Sequence, residues 1–174
     1  MRDQSPLKAQ LATLARYNLW ATRRLYAHVD GLSDADYRRD AGLFFRSVHG
    51  TLNHLLVGEH QLWLRRFAEG LSPHVVLDAE IESDRARLRQ RLIDGASAWG
   101  PLIDACDDMR LAGTLDYTTT RGVPMSLPFA ATLAHVFNHG THHRGQISAA
   151  LTAMGHACTE LDLVWMLQFE SRPT

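Results

Sequence analysis

Apolar residues recur every three to four positions through most of this chain, the periodicity of amphipathic helices. A first run of Leu7, Leu11, Leu14, Ala15, Leu19, Leu25 and Val29 follows Ser5-Pro6 and stops at Gly31. Proline at an early helical position and glycine past the end are the expected punctuation of one long helix. Ser33 with Asp36 predicts a short helical turn. A second long helix is predicted from about Ser47 to Glu69, with Val48, Leu52, Leu55, Leu56, Leu62, Trp63 and Phe67 on its apolar positions and Gly70 as its stop. A third is expected to open at Asp78 and continue through Ile81, Leu88, Leu92, Trp99 and Leu102. Its polar face, DRARLRQR, reads as a solvated surface laced with acid–base pairs.

Between Leu111 and Val123 the pattern changes. LDYTTT is rich in β-formers and Arg121-Gly122 is a turn signal, so a small hairpin or extended loop is expected here. Ser126 is then expected to cap the fourth long helix, with Pro128 in its first turn and Gly155 closing it. Thr159 and Asp162 open a last short amphipathic segment, DLVWMLQF. Four long helices with short loops and no internal repeat predict an all-α chain, a four-helix bundle forming a single domain over residues 1–174.

Composition adds limits. With 18 basic and 19 acidic residues the net charge is −1, which argues against non-specific binding to a polyanion. The segment MRDQSPLKAQ lacks the apolar stretch of a secretory signal, and no apolar run approaches transmembrane length. Cys106 and Cys158 stand far apart and outside any CxxC. Two reduced thiols in a cytoplasmic protein are the expectation, with neither a disulfide framework nor a zinc finger. No basic stripe, helix-turn-helix spacing or nuclease carboxylate cluster supports action on DNA.

The chemistry concentrates in HVFNHGTHHRGQ, residues 135–146, which holds four of the ten histidines on a helical pattern. Residues four apart on a helix are neighbours, so two such imidazoles can reach one first-row metal ion. Three pairs are geometrically open: His135 with His139, His139 with His143, and His139 with His142. A third ligand must come from elsewhere. On the second helix His54 shares a stripe of small and polar residues with Gly50, Thr51, Gly58 and Gln61, which would let another helix or a substrate come close. His49 and His60 point well away from that stripe. The spacing therefore favours His54 as the partner of the fourth helix.

These segments resemble the DinB branch of the DinB/YfiT-like superfamily. ARYNLWATRRLY is similar to the family's first-helix segment, FFRSVHGTLNHLLVGEHQLWLRRF to its second-helix block, and HVFNHGTHHRGQI to its fourth-helix signature. The likeness spans nearly the whole chain, including the hairpin and the closing LDLVWML. It implies a four-helix bundle with up-down-down-up connectivity and a divalent metal held by His54, His139 and His143. It also implies a homodimer and a small-molecule substrate, since some relatives transfer low-molecular-weight thiols and others are thiol-dependent isomerases. Zinc is the first expectation for the ion and nickel the second, both being within reach of a three-histidine site.

Three neutral imidazoles suit a catalytic ion with an open position. The expected function is metal-dependent transfer of a low-molecular-weight thiol to small electrophiles, or a related hydrolysis. The alternative is a non-catalytic metal-binding stress-response protein. His135 and His142 are expected as hydrogen-bonded or surface residues, and His28, His49, His60, His74 and His156 as ordinary polar ones. Asn138 or Gln146 could hold a ligand's second nitrogen. Arg144 is expected to pair with an acid on another helix, with an anionic substrate as the second reading. Tyr17, Asn18 and Trp20 are expected as core or interhelical contacts, while Glu59, five residues past His54, has poor spacing for a carboxylate beside the ligands.

Overall fold

A computed structural model describes residues 5–172. The first helix, α1 (Pro6–Val29), begins at Ser5, whose side chain accepts from the Lys8 N–H, with Pro6 in the first turn. A single capped turn, α2 (Asp34–Arg38), follows. The second long stretch is continuous but changes its winding. It runs as α3 (Val48–Leu55), then as a π-helical segment, π1 (Leu56–Leu64), then as α4 (Arg65–Glu69), and stops at Gly70 in the left-handed region with φ 67°. Next come α5 (Arg85–Ala105), α6 (Asp108–Ala112), β1 (Thr114–Thr118), β2 (Pro124–Pro128), α7 (Phe129–Ala153) and α8 (Leu163–Glu170). The strands pair antiparallel, with Thr114 opposite Pro128 and Thr118 opposite Pro124.

Two apolar clusters fix the direction of the long helices. One joins Leu25 and Val29 of α1 to Val48 and Leu52 of α3, Leu88 and Leu92 of α5, and Ile147 and Leu151 of α7. The other joins Leu11 of α1 to Phe67 of α4, Trp99 and Ile103 of α5, and Phe129 and Leu133 of α7. So α1 and α7 run one way, while the α3–α4 stretch and α5 run the other. This is the up-down-down-up order. Parallel neighbours cannot be joined by a tight turn, so residues 70–84 must travel back along the bundle between α4 and α5.

That return segment explains the first departure from the sequence pattern. Instead of opening at Asp78, α5 starts at Arg85, with Asp84 as its cap. Asn53 on α3 holds the preceding residues extended: its Oδ1 accepts from the N–H groups of Ile81 and Glu82 at 3.0 Å each, and its Nδ2 donates to the Glu82 carbonyl at 3.1 Å. A second departure concerns Ser126, which lies within β2 opposite Asp116 instead of capping α7. The helix starts three residues later, at Phe129, whose N–H donates to the Gly113 carbonyl. The short α6 is not marked by the hydrophobic pattern. Among the described residues, no helix is long and apolar enough to cross a membrane.

Candidate metal centre

The antiparallel packing of α3 on α7 brings His54 against His139 and His143, which lie one turn apart on α7. Nε2 of His139 is 3.2 Å from Nε2 of His54 and 3.1 Å from Nε2 of His143. Among the described residues, these three form the one His, Cys, Asp or Glu group whose donor atoms all lie within 4.8 Å of one another. Two ligand nitrogens bound to zinc at tetrahedral angles stand roughly 3.3 Å apart. The observed spacing fits that requirement.

Hydrogen bonding on the far side of the rings sharpens the fit. Nδ1 of His54 is 2.8 Å from the Leu77 carbonyl oxygen, in the return segment, so that nitrogen carries the proton. Nδ1 of His143 is 2.8 Å from Oε1 of Gln146. Both rings therefore aim an unprotonated Nε2 inward, as ligating imidazoles do. An N–H on His139 Nε2 could satisfy only one of those two lone pairs, whereas one cation between the rings satisfies all three nitrogens. His139 Nδ1 is buried with no partner.

Electrostatics favour the neutral rings. Burial, with the neighbouring imidazoles adding to it, pushes His139 down to about 3. Burial also pushes His143 down to about 4, against the opposing hydrogen bond that its Nδ1 donates to Gln146. His54 is lowered by burial despite its carbonyl partner and the nearby Asp78. A trio that resists protonation stays available as ligand near neutral pH.

Phe45 covers one side of this group. Its ring stacks on His54 with centroids 3.7 Å apart and planes inclined by 15°, and lies 5.6 Å from the His143 ring. The loop carrying it folds back on α3, where a Cβ at Gly50 would stand 2.2 Å from the Phe45 carbonyl oxygen. Gly58 faces α7 less tightly: a Cβ there would meet His139 Cε1 at 3.6 Å, an ordinary van der Waals contact. The small-residue stripe beside His54 is thus where the loop and α7 approach.

On the other side, His54 and His139 open onto a cavity of about 220 Å³. Its further wall is made by Trp63, Arg66, Leu77, Tyr117 and His135. In a regular α-helix Trp63 would stand half a turn from His54. The wider winding of π1 turns the helix more slowly per residue and returns Trp63 to the His54 side.

Other singled-out residues fall as follows. His135 and His142 are exposed, with ring centroids 5.9 Å from His139 and 4.9 Å from His143 respectively. Gln146, not Asn138, holds a ring nitrogen; Asn138 lines a separate groove with Leu14, Tyr17 and Leu163. Arg144 and Glu59 are both buried, joined through Asn18, which donates to Glu59 Oε2 at 3.0 Å and accepts from Arg144 Nη1 at 2.6 Å. This cluster ties α1, π1 and α7 together. Burial raises the Glu59 carboxyl, with Arg144 and Asn18 acting against it. Tyr17 donates to the Leu161 carbonyl at 2.7 Å and packs with Trp20 and Met166. His49 and His60 are not ordinary surface polar groups. Both are buried, His49 against Glu80 at 2.9 Å and His60 with neither ring nitrogen hydrogen-bonded. The sequence pattern marks Trp63 only as an apolar position and Tyr117 only as part of a β-forming run, and marks neither Phe45 nor Arg66, since none of the four belongs to a ligand spacing.

Comparisons with known proteins agree with this architecture. The model of the DinB family matches residues 4–173. The chain is 25% identical over 153 residues to Protein DinB of Bacillus subtilis (strain 168), covering 86% of this chain and 88% of that one. Among solved structures it is similar to YfiT from Bacillus subtilis, described as a probable metal-dependent hydrolase with an unusual four-helix bundle topology. That likeness has a TM-score of 0.68 at 14% identity and covers 90% of this chain and 93% of YfiT, so the fold is shared.

Proposed function

The chain belongs to the DinB family, and on that premise we propose that it is a divalent-metal-dependent enzyme attacking small electrophiles with a low-molecular-weight thiol, or with water in a related hydrolysis. The observation that carries this reading is the convergence of three imidazole Nε2 atoms at the wall of an accessible cavity. His54, His139 and His143 would hold the ion, with zinc the first choice and nickel the second. Bound by three neutral ligands, a divalent ion keeps its full charge and lowers the pKa of a thiol or water that reaches it, supplying a nucleophile near neutral pH.

The remaining work falls to the chain's own residues. Leu77 and Gln146 fix the tilt of two ligand rings. Phe45 keeps water from one face of His54. His135 lines the cavity outside the trio and offers an imidazole to carry a proton away from the incoming nucleophile. The hydrolytic arm draws support from the printed description of YfiT. A binding-only role draws less, because a structural ion is closed off by its ligands whereas this trio borders a cavity.

The test uses zinc-loaded protein and the His54→Ala variant. Conjugation of small thiols to 1-chloro-2,4-dinitrobenzene, and hydrolysis of an activated ester, are followed in parallel. At least one reaction should run faster with the unaltered protein by about a hundredfold or more, the scale of lost metal activation. Equal rates with both proteins in both assays would overturn the proposal.

A further inference from the structure

The cavity beside the histidine trio contains a cationic group. Arg66 on α4 is 3% exposed and lines the same cavity as His54 and His139. Its guanidinium packs against the corner made by two rings, with Cζ 4.5 Å from the Trp63 centroid and 4.4 Å from that of Tyr117. Nη2 donates to the Thr118 carbonyl at 2.7 Å. Nε is buried and has no partner. Among the described residues no carboxylate lies within ion-pair distance of Arg66, and none lines this cavity.

A buried charge is ordinarily paired, because removing it from water is costly. Among the described residues the other deeply buried arginine follows that rule: Arg144 shares its cluster with Asn18 and Glu59. Arg66 has two aromatic faces and one carbonyl, which offset part of the cost but leave most of its five N–H donors without an acceptor. The two rings stand edge to face with each other, 5.3 Å between centroids, and so pack to one side of the guanidinium without offering it an acceptor. Its unpaired N–H groups are the donors with which arginine binds a planar acid group bidentately.

We propose that Arg66 anchors a carboxylate of the substrate, so that the enzyme acts on small organic acids whose reactive end faces the histidine trio. This rests on the reading of the trio as a metal centre that activates a nucleophile, and adds the substrate class. Trp63 and Tyr117 form apolar walls for the carbon chain between the two ends. The hairpin supplies Tyr117 and Thr118, which gives β1 a role in substrate binding.

Cobalt-loaded protein tests this with a homologous series of ω-mercapto carboxylates and neutral ω-mercapto alcohols of matching length. Binding is read from the thiolate-to-cobalt absorption band. At one chain length the carboxylate should bind about tenfold tighter than its alcohol, the scale of one charge-assisted hydrogen-bonded pair. In Arg66→Gln that preference should fall below about twofold, with alcohol affinity unchanged, as expected when only the anchor is lost. Absence of any preference in the unaltered protein, or its survival in Arg66→Gln, overturns the proposal.

Thermal melts establish that the variant folds. Should Arg66→Gln fail to fold, Arg66→Lys keeps the charge without the fork. Its preference should then drop severalfold, and an undiminished preference would count against the anchor. If no thiol gives the band, the thiol reading of the metal centre fails separately. Calorimetry of the sulfur-free alkanoates on the metal-free protein still decides the anchor: heat lost in the Arg66 variant supports it, and no heat from the unaltered protein overturns it.

Discussion

His60 carries a cost that the rest of the bundle must outweigh. It is buried, neither ring nitrogen has a partner, and burial pushes it down to about 3. An unfolded chain would hold this imidazole near its usual value of about 6.5. Below that value the unfolded state binds a proton that the folded state refuses. Stability is therefore complete above about pH 6.5 and declines as the pH falls from there toward about 3. Thermal melts of metal-free protein between about pH 7.5 and 4.5 should show Tm falling with pH, and His60→Met should make the dependence shallower. Parallel slopes for the two proteins would refute this account of His60. The position also shows what sequence could and could not supply. Helical spacing separated His60 correctly from His54, but a wheel gives direction and not depth, so it read as an ordinary polar residue. The grouping of His54 with the fourth-helix histidines was legible because residues sharing one ion must share a face. Phe45 and Arg66 were not, since a loop aromatic and an arginine in an apolar run carry no spacing signal.

Among the helices, the second long stretch determines the shape of the site. Its α-helical start places His54 against α7, and its π-helical middle turns Trp63 toward the same cavity. The hydrophobic pattern marked both ends of this stretch, Ser47 and Gly70, yet a wheel built on 3.6 residues per turn contains no π segment. The start of α5 was misplaced for a related reason. Ile81 continues an apolar period, but side-chain bonds from Asn53, on another element, hold its backbone extended. Packing of π1 on α5 depends on Gly95, where a Cβ would stand 2.3 Å from His60 Cγ and 2.4 Å from Nδ1. In an exposed helix, Gly→Ala stabilises by about 1 kcal/mol. Here Gly95→Ala should instead destabilise by about 1–3 kcal/mol, the cost of overpacking a filled core. Urea unfolding measures it, and a stabilised variant would show that the two helices can separate freely at this point.

For the whole molecule, the up-down-down-up order links fold and chemistry. Because the α3–α4 stretch and α5 run in parallel, the chain must return along the bundle, and this return segment supplies the Leu77 carbonyl that orients His54. The four long helical stretches and the hairpin were legible from periodicity and turn residues. The direction of each helix was not, since connectivity leaves no mark in a hydrophobic pattern, and it entered through family likeness. The all-α bundle with one small sheet agrees with the DinB family match and with the YfiT fold. The central claim is that His54, His139 and His143 hold one divalent ion. Elemental analysis of protein purified without a nickel resin, then stripped and reloaded with zinc, tests it most directly, with His139→Ala treated identically. About one equivalent of zinc per chain in the unaltered protein and almost none in the variant is the expected result. Near-equal metal in both proteins, or none retained by either, would contradict it.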